Sequence, residues 1–84
     1  MDKIKQIEAF VNAAEKGSLA KAALGQGVTP VMLGRRIDAH ERRLGIKLMH
    51  RTTRHLTLTE RGTVFFDQCK KILDELDQAE KMIG

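Results

Sequence analysis

The sequence has no tryptophan, no tyrosine, only three phenylalanines and a single cysteine in 84 residues. With so few aromatics, any core must be built mainly from aliphatic side chains, as in many compact helical proteins. One cysteine rules out an internal disulfide framework and makes a reducing compartment the default. No run approaches the ~18 apolar residues of a membrane span, and the first twenty residues lack the unbroken apolar stretch of a secretory signal. The expected location is therefore the cytoplasm. A chain this short holds one domain at most and has no room for a large substrate cavity, which argues against most enzymes.

The constellations that catalysis requires are missing as well. His50 and His55 stand five apart across an expected turn, not four apart on a helix, and no second cysteine joins them. Gly25 and Gly27 precede a helix but follow another helix, whereas a nucleotide-binding loop follows a strand. No catalytic residue, metal or cofactor is expected. Met32, Met49 and Met82 read as core or seam filling, not as a sulfur site.

What the chain does contain is 42% hydrophobic and 31% charged residues, the balance of a folded soluble domain. The net charge of +4 is unevenly placed. Residues 35–61 carry all seven arginines and Lys47 against Asp38, Glu41 and Glu60, a local surplus of five, while 62–84 is net acidic by two. Arginine's planar fork suits phosphate and the guanine edge, so a polyanion is the first partner to consider, beside the plainer reading of a solvated basic surface.

Ile4, Ile7, Phe10, Val11 and Ala14 fall at helical spacing and predict one amphipathic helix, stopped at Gly17. Ser18 reads as the N-cap of a short second helix, Leu19 to Leu24, broken by Gly25 and Gly27. Thr29 followed by Pro30 starts a third helix that should run to Leu44 and stop at Gly45. Lys47–His50 and His55–Leu58 are expected as two short strands around a turn at Thr52, Thr53 and Arg54. From Thr59, another N-cap candidate, Phe65, Cys69, Ile72, Leu76, Ala79 and Ile83 recur at alternating spacings of four and three, a heptad seam broadened by Phe66 and Leu73. About 25 helical residues would extend ~37 Å, longer than so small a body can cover. A leftover seam implies a partner helix, most simply from a second copy. Cys69, lying in that seam, is assigned a packing role.

Two short helices joined by a tight glycine-containing turn, with a hairpin after the second, describe a winged helix-turn-helix. The expected architecture is thus all-α: three helices plus a small β-hairpin wing, followed by a long C-terminal linker helix. It divides into a DNA-binding head at 1–58 and a linker/dimerisation helix at 59–84. Leu33, Ile37, His40 and Leu44 form the buried line of the third helix, leaving Val31, Arg35, Asp38 and Arg42 on the opposite face for a major groove. Phe10 to Ala14, Gly17-Ser18-Leu19 with Ala22-Ala23, Arg35-Arg36-Ile37, Glu41, Leu44-Gly45, Lys47-Leu48 with Arg51, and Leu58-Thr59 with Gly62 follow in order without a gap. In these residues the sequence resembles the LysR-type transcriptional regulators of bacteria, and with the long last helix the resemblance covers essentially the whole chain.

That resemblance implies the family's N-terminal DNA-binding domain, with a linker helix that pairs two subunits. Thr29, Pro30, Val31, Gly34 and Arg35 match the reading end of the recognition helix. Arg35 is the leading candidate for a guanine edge or a phosphate, a bidentate base contact discriminating by ~1 to 3 kcal/mol. Arg51 and Arg54 match the wing, one to bind the backbone and the other to probe a narrow minor groove. Ser18 caps the second helix, whose N-terminus is also a candidate phosphate seat. The sequence departs from the family at Pro30 and Gly34, where Gln or Ser is frequent, so base reading should lean on Arg35, on contact of Val31 or Pro30 with a thymine methyl, and on DNA shape. Gly34 either admits a close approach to DNA or is simply tolerated at a cost of ~1 kcal/mol. His40 stands where the family prefers a large apolar residue, and is expected as a partly buried, hydrogen-bonded histidine.

The expected function is sequence-specific binding of double-stranded DNA by a homodimer that reads an inverted repeat, with dimerisation through Phe65, Cys69, Ile72, Leu73, Leu76, Ala79 and Ile83. The resemblance implies a full-length form that continues into an effector-binding domain, so a small-molecule effector would act on a region absent from this chain. The alternative is a helical interaction module that dimerises without DNA affinity. An RNA partner is disfavoured by the lack of stacking aromatics.

Overall fold

The computed structural model describes residues 2–52 and 55–84. Four helices and one hairpin follow in the order α1 (Lys3–Lys16), α2 (Leu19–Gln26), α3 (Pro30–Leu44), β1 (Met49–Arg51), β2 (Leu56–Leu58) and α4 (Glu60–Ile83). Each helix begins on an oxygen that accepts an otherwise orphaned N–H. Asp2 accepts from Ile4 N, Ser18 Oγ from Lys21 N, Thr29 Oγ1 from Met32 N and Thr59 Oγ1 from Gly62 N. Gly17, Gly27 and Gly45 end α1, α2 and α3 in the left-handed region at φ 67–69°.

α2 runs two residues further than expected, through Gly25 to Gln26, and the chain reverses only at Gly27. Gly25 keeps a helical backbone. The first strand also begins later than expected, at Met49 and not Lys47. Its approach is engaged elsewhere: the Glu41 carboxylate accepts from Leu48 N at 2.7 Å and from Met49 N at 3.1 Å, tying the chain to α3 before the ladder starts. The hairpin is antiparallel, pairing Met49 with Leu58, His50 with Thr57 and Arg51 with Leu56. A further backbone bond, Leu56 N to Gly17 O at 3.1 Å, pins the hairpin to the end of α1.

The core gathers Ala9, Phe10 and Ala13 of α1, Ala22 and Ala23 of α2, Leu33 and Ile37 of α3, Leu48, Met49, Leu56, and Cys69 of α4. Small residues on α1 and α2 let the three short helices approach closely, and Phe10 fills the centre. His40 departs from expectation. It is fully buried, neither ring nitrogen has a hydrogen-bond partner, and it packs edge-on against Phe10 and Phe65 with ring centroids 5.9 and 5.3 Å away. The imidazole therefore serves as an aromatic filler in the place of a large apolar side chain. Of the three methionines read as filling, Met49 is buried, whereas Met32 and Met82 are exposed.

α4 lies across α1, joined by Lys70 Nζ to Glu15 Oε2 at 3.0 Å. Its start is fixed on the segment entering β1, where Thr59 N donates to Leu48 O and Thr59 Oγ1 to Lys47 O. Gly62 makes that approach possible, since a Cβ there would stand 2.0 Å from the Leu48 carbonyl oxygen. Beyond Leu73 the helix leaves the body, and Asp74–Gly84 is exposed throughout. The 24-residue rod accounts for most of the molecule's 42 Å long dimension.

Candidate nucleic-acid interface

α2 and α3, joined through Gly27 and Val28, place the N-terminus of α3 at the surface. Thr29, Pro30, Val31 and Arg35 are all exposed, with Val31 64% accessible. Arg42 continues the same face two turns on, while Leu33, Ile37 and His40 are buried behind it. Arg35 thus projects from the first two turns of a helix held rigidly from behind, a placement suited to reaching into a groove. The Thr29 hydroxyl accepts from Met32 N at 3.1 Å, so its lone pair serves the cap first. Ser18 does the same for α2 at 3.4 Å, half-buried at the helix start.

Gly34 lies on α3 beside Arg35, at a cleft lined also by Pro30, Val31, Asp38 and Arg51. It is buried within the chain, and the space that its missing side chain leaves is taken by the wing: a Cβ there would stand 3.0 Å from Arg51 Nη1 and 3.7 Å from Leu19 Cδ1. Gly34 accordingly makes room for the Arg51 guanidinium. Arg51 itself, at the end of β1, turns back onto α3, its Nη2 donating to Asp38 Oδ1 in an ion pair. The Arg51 side chain is only 28% accessible. Thr53 and Arg54, the rest of the expected turn, lie outside the described residues, so the second wing arginine has no structural account.

Two residues that the sequence reading left without a site role shape this surface. Glu41 joins α3 to the wing through the paired backbone N–H groups of Leu48 and Met49, and Gln6, buried in α1, accepts from Arg43 Nε at 3.0 Å. Arg43 is thereby partly spent on the fold. The only available signal for Glu41 was its place among the motif residues; nothing marked Gln6.

Along α4 the expected seam divides. Cys69 is fully enclosed, and burial pushes its thiol up to about 11, so it belongs to the body of the chain and cannot meet a partner helix. Phe65 and Leu73 are half-buried against the same core. Ile72 and Leu76 remain 45% and 42% accessible, Ala79 is exposed, and Ile83 is almost wholly so. Val64, which the heptad count passed over, is also exposed and lies two helical i+4 steps before Ile72.

The model of bacterial regulatory helix-turn-helix proteins of the lysR family matches residues 4–63. An HTH-type transcriptional regulator of Xanthomonas campestris pv. campestris is 41% identical over 75 residues, which is 89% of this chain and 22% of that relative. The HTH-type transcriptional regulator PtxR of Pseudomonas aeruginosa is 40% identical over 76 residues, 90% of this chain and 24% of PtxR. The chain thus spans about a quarter of the length of the curated relatives it matches. Among solved structures, the BenM DBD/benA site 1 DNA complex superposes with a TM-score of 0.92 at 30% identity, covering 98% of this chain and 92% of that one. The CbnR DBD–DNA complex gives 0.89 at 28% identity, covering 96% and 93%.

Proposed function

The chain belongs to the lysR family of bacterial regulatory helix-turn-helix proteins, and on that basis we propose that it binds double-stranded DNA sequence-specifically as a homodimer. The observation that carries this reading is the exposed, rigidly backed face of Val31, Arg35 and Arg42 beside a hairpin wing, in a fold whose solved neighbours include complexes with DNA. Thr29, Pro30, Val31 and Arg35 form the reading end, Arg35 supplying the base or phosphate contact and Val31 the apolar one. Ser18 offers the capped start of α2 to a backbone phosphate. Arg54 is left as the wing residue for the minor groove. The exposed stripe of Ile72, Leu76, Ala79 and Ile83 pairs two copies, bordered by Phe65 and Leu73.

In this reading 1–58 is the reading head and 59–84 the dimerisation helix, although the first half of α4 is packed as part of the head. Two heads related by a twofold axis read an inverted repeat, with a spacing set by the paired helices. The protein works by binding and not by catalysis, in the cytoplasm, and a small-molecule effector acts on parts of such regulators beyond this chain. No helix among the described residues is long and apolar enough to cross a membrane.

The test is a fluorescence-anisotropy titration against a randomised duplex pool at two salt concentrations, with sequencing of the bound fraction. Salt-sensitive binding that enriches an inverted repeat is the expected result, and absence of binding at low salt would refute it. Arg35→Ala should then weaken the enriched site by about 1 to 3 kcal/mol more than random duplex.

A further inference from the structure

Arg51 occupies a seat built by two separated stretches of chain, α3 and the start of α2. Gly34 supplies the floor by lacking a side chain, Leu19 of α2 lies at the same cleft, and Asp38, one turn beyond Gly34 on α3, supplies the counter-charge. The guanidinium is thereby turned back onto α3. An ordinary surface ion pair contributes little because both partners remain solvated and mobile. Here the Arg51 side chain is 28% and the Asp38 side chain 43% accessible, and one guanidinium nitrogen stands over Gly34 while the other donates to the carboxylate. Its charge is offset by Asp38.

Building on the DNA-binding reading above, we propose that Asp38 is a positioning residue: it holds Arg51 over Gly34, fixing the wing to the recognition helix and keeping this arginine off the DNA phosphates. Two consequences follow from the geometry. The wing and α3 approach the duplex as one rigid unit, because β1 is fastened to α3 at its start by Glu41 and at its end by Asp38. The sequence-independent, salt-sensitive part of binding is also smaller than the count of arginines implies, since a phosphate contact adds equally to every sequence.

The test is a double-mutant cycle on the 84-residue chain, read as the slope of log K against log salt for a random-sequence duplex between about 50 and 200 mM. Arg51→Gln alone should leave the slope unchanged. Asp38→Ala should free Arg51 for a phosphate and steepen the slope by about 0.9, an additional ~3-fold loss of affinity across that range. Adding Arg51→Gln to Asp38→Ala should restore the starting slope, and Asp38→Glu should keep it, because the carboxylate is retained. Far-UV circular dichroism checks that each variant is folded, and both side chains are accessible enough for substitution. A flattening of about 0.9 from Arg51→Gln alone would overturn the proposal, because it would place Arg51 on a phosphate already. So would a steepening by Asp38→Ala that survives in the double variant. Failure of the unsubstituted chain to bind any duplex would instead refute the DNA-binding reading beneath it.

Discussion

Replacing Gly62 with alanine sets two physical effects against each other. On helix propensity alone the change is favourable, because glycine within a helix costs about 1 kcal/mol relative to alanine. The packing opposes it. The new Cβ would stand 2.0 Å from the Leu48 carbonyl oxygen and 2.9 Å from its carbon, both backbone atoms, so no side-chain rotation relieves the overlap. The start of α4 must move away from the segment entering β1. That movement stretches Thr59 N to Leu48 O, now 3.0 Å, and Thr59 Oγ1 to Lys47 O, now 2.8 Å. Each such bond contributes about 0.5 to 1.5 kcal/mol net, and forcing extra atoms into a packed site costs about 1 to 3 kcal/mol. After subtracting the propensity gain, Gly62→Ala should destabilise by about 1 to 5 kcal/mol, lowering Tm by at least ~4 °C in a domain of this size. Gly25 is the control: it is helical and exposed, and a Cβ added there would meet nothing within 4 Å, so Gly25→Ala should stabilise by about 0.4 to 1 kcal/mol. Thermal and urea unfolding of the two variants measures both. A Gly62→Ala protein as stable as its parent would refute the steric account and reduce this glycine to a matter of propensity.

Burial, with help from the Arg43 charge, holds the His40 imidazole below its usual pKa, so the unfolded chain takes up a proton that the folded one resists. The sign follows: above pH ~6.5 His40 adds no pH-dependent cost, and as pH falls below that value stability should drop by up to about 1.4 kcal/mol per pH unit until the folded-state pKa is reached. Urea midpoints at about pH 7 and pH 5.5, either side of that value, measure the loss, and a His40→Leu variant showing the same decline would assign it to other groups. The Cys69 thiol, pushed up to about 11 and fully enclosed, should resist a thiol reagent at about pH 8 in the native protein and react at once in denaturant; equal rates would contradict its burial. Leu76→Asp removes an apolar contact from each side of the proposed helix pair. At roughly 1.5 to 3 kcal/mol per side chain the dimer should weaken by about 100-fold or more, and an unchanged sedimentation profile would remove α4 from the interface.

The features legible in the sequence are those decided by neighbouring residues. Ser18, Thr29 and Thr59 cap helices through N–H groups three positions away, and Gly17, Gly27 and Gly45 end them through their own φ, so a local pattern suffices. Gly25 misled because two glycines two apart look alike in sequence, while only the second adopts the left-handed turn. Gly34 and Arg51 lay beyond local reading, since their fit joins positions seventeen apart through a side chain that folds back. His40 was placed correctly on the buried line, but its environment comes from Phe10 and Phe65 on other helices, and they offer ring faces and edges in place of hydrogen-bond partners.

The heptad on α4 is divided in the structure between two surroundings. A spacing of four and three detects an apolar stripe without saying what covers it, and on this helix two different neighbours share one stripe. The body of the chain takes the early turns, enclosing Cys69 and half-covering Phe65 and Leu73, while the helix past Leu73 has no neighbour among the described residues. The same division applies to charge. Seven arginines suggest a strongly basic reader, yet two of the exposed ones are already engaged, Arg43 donating to Gln6 and Arg51 to Asp38, beside the exposed Arg35 and Arg42 of α3 and Arg61 of α4. A residue class counted along the chain measures what is available. How much of it could face a partner is decided by what the fold has already engaged, and for this chain that leaves a narrower candidate DNA face and a shorter exposed stripe on α4 than composition and periodicity imply.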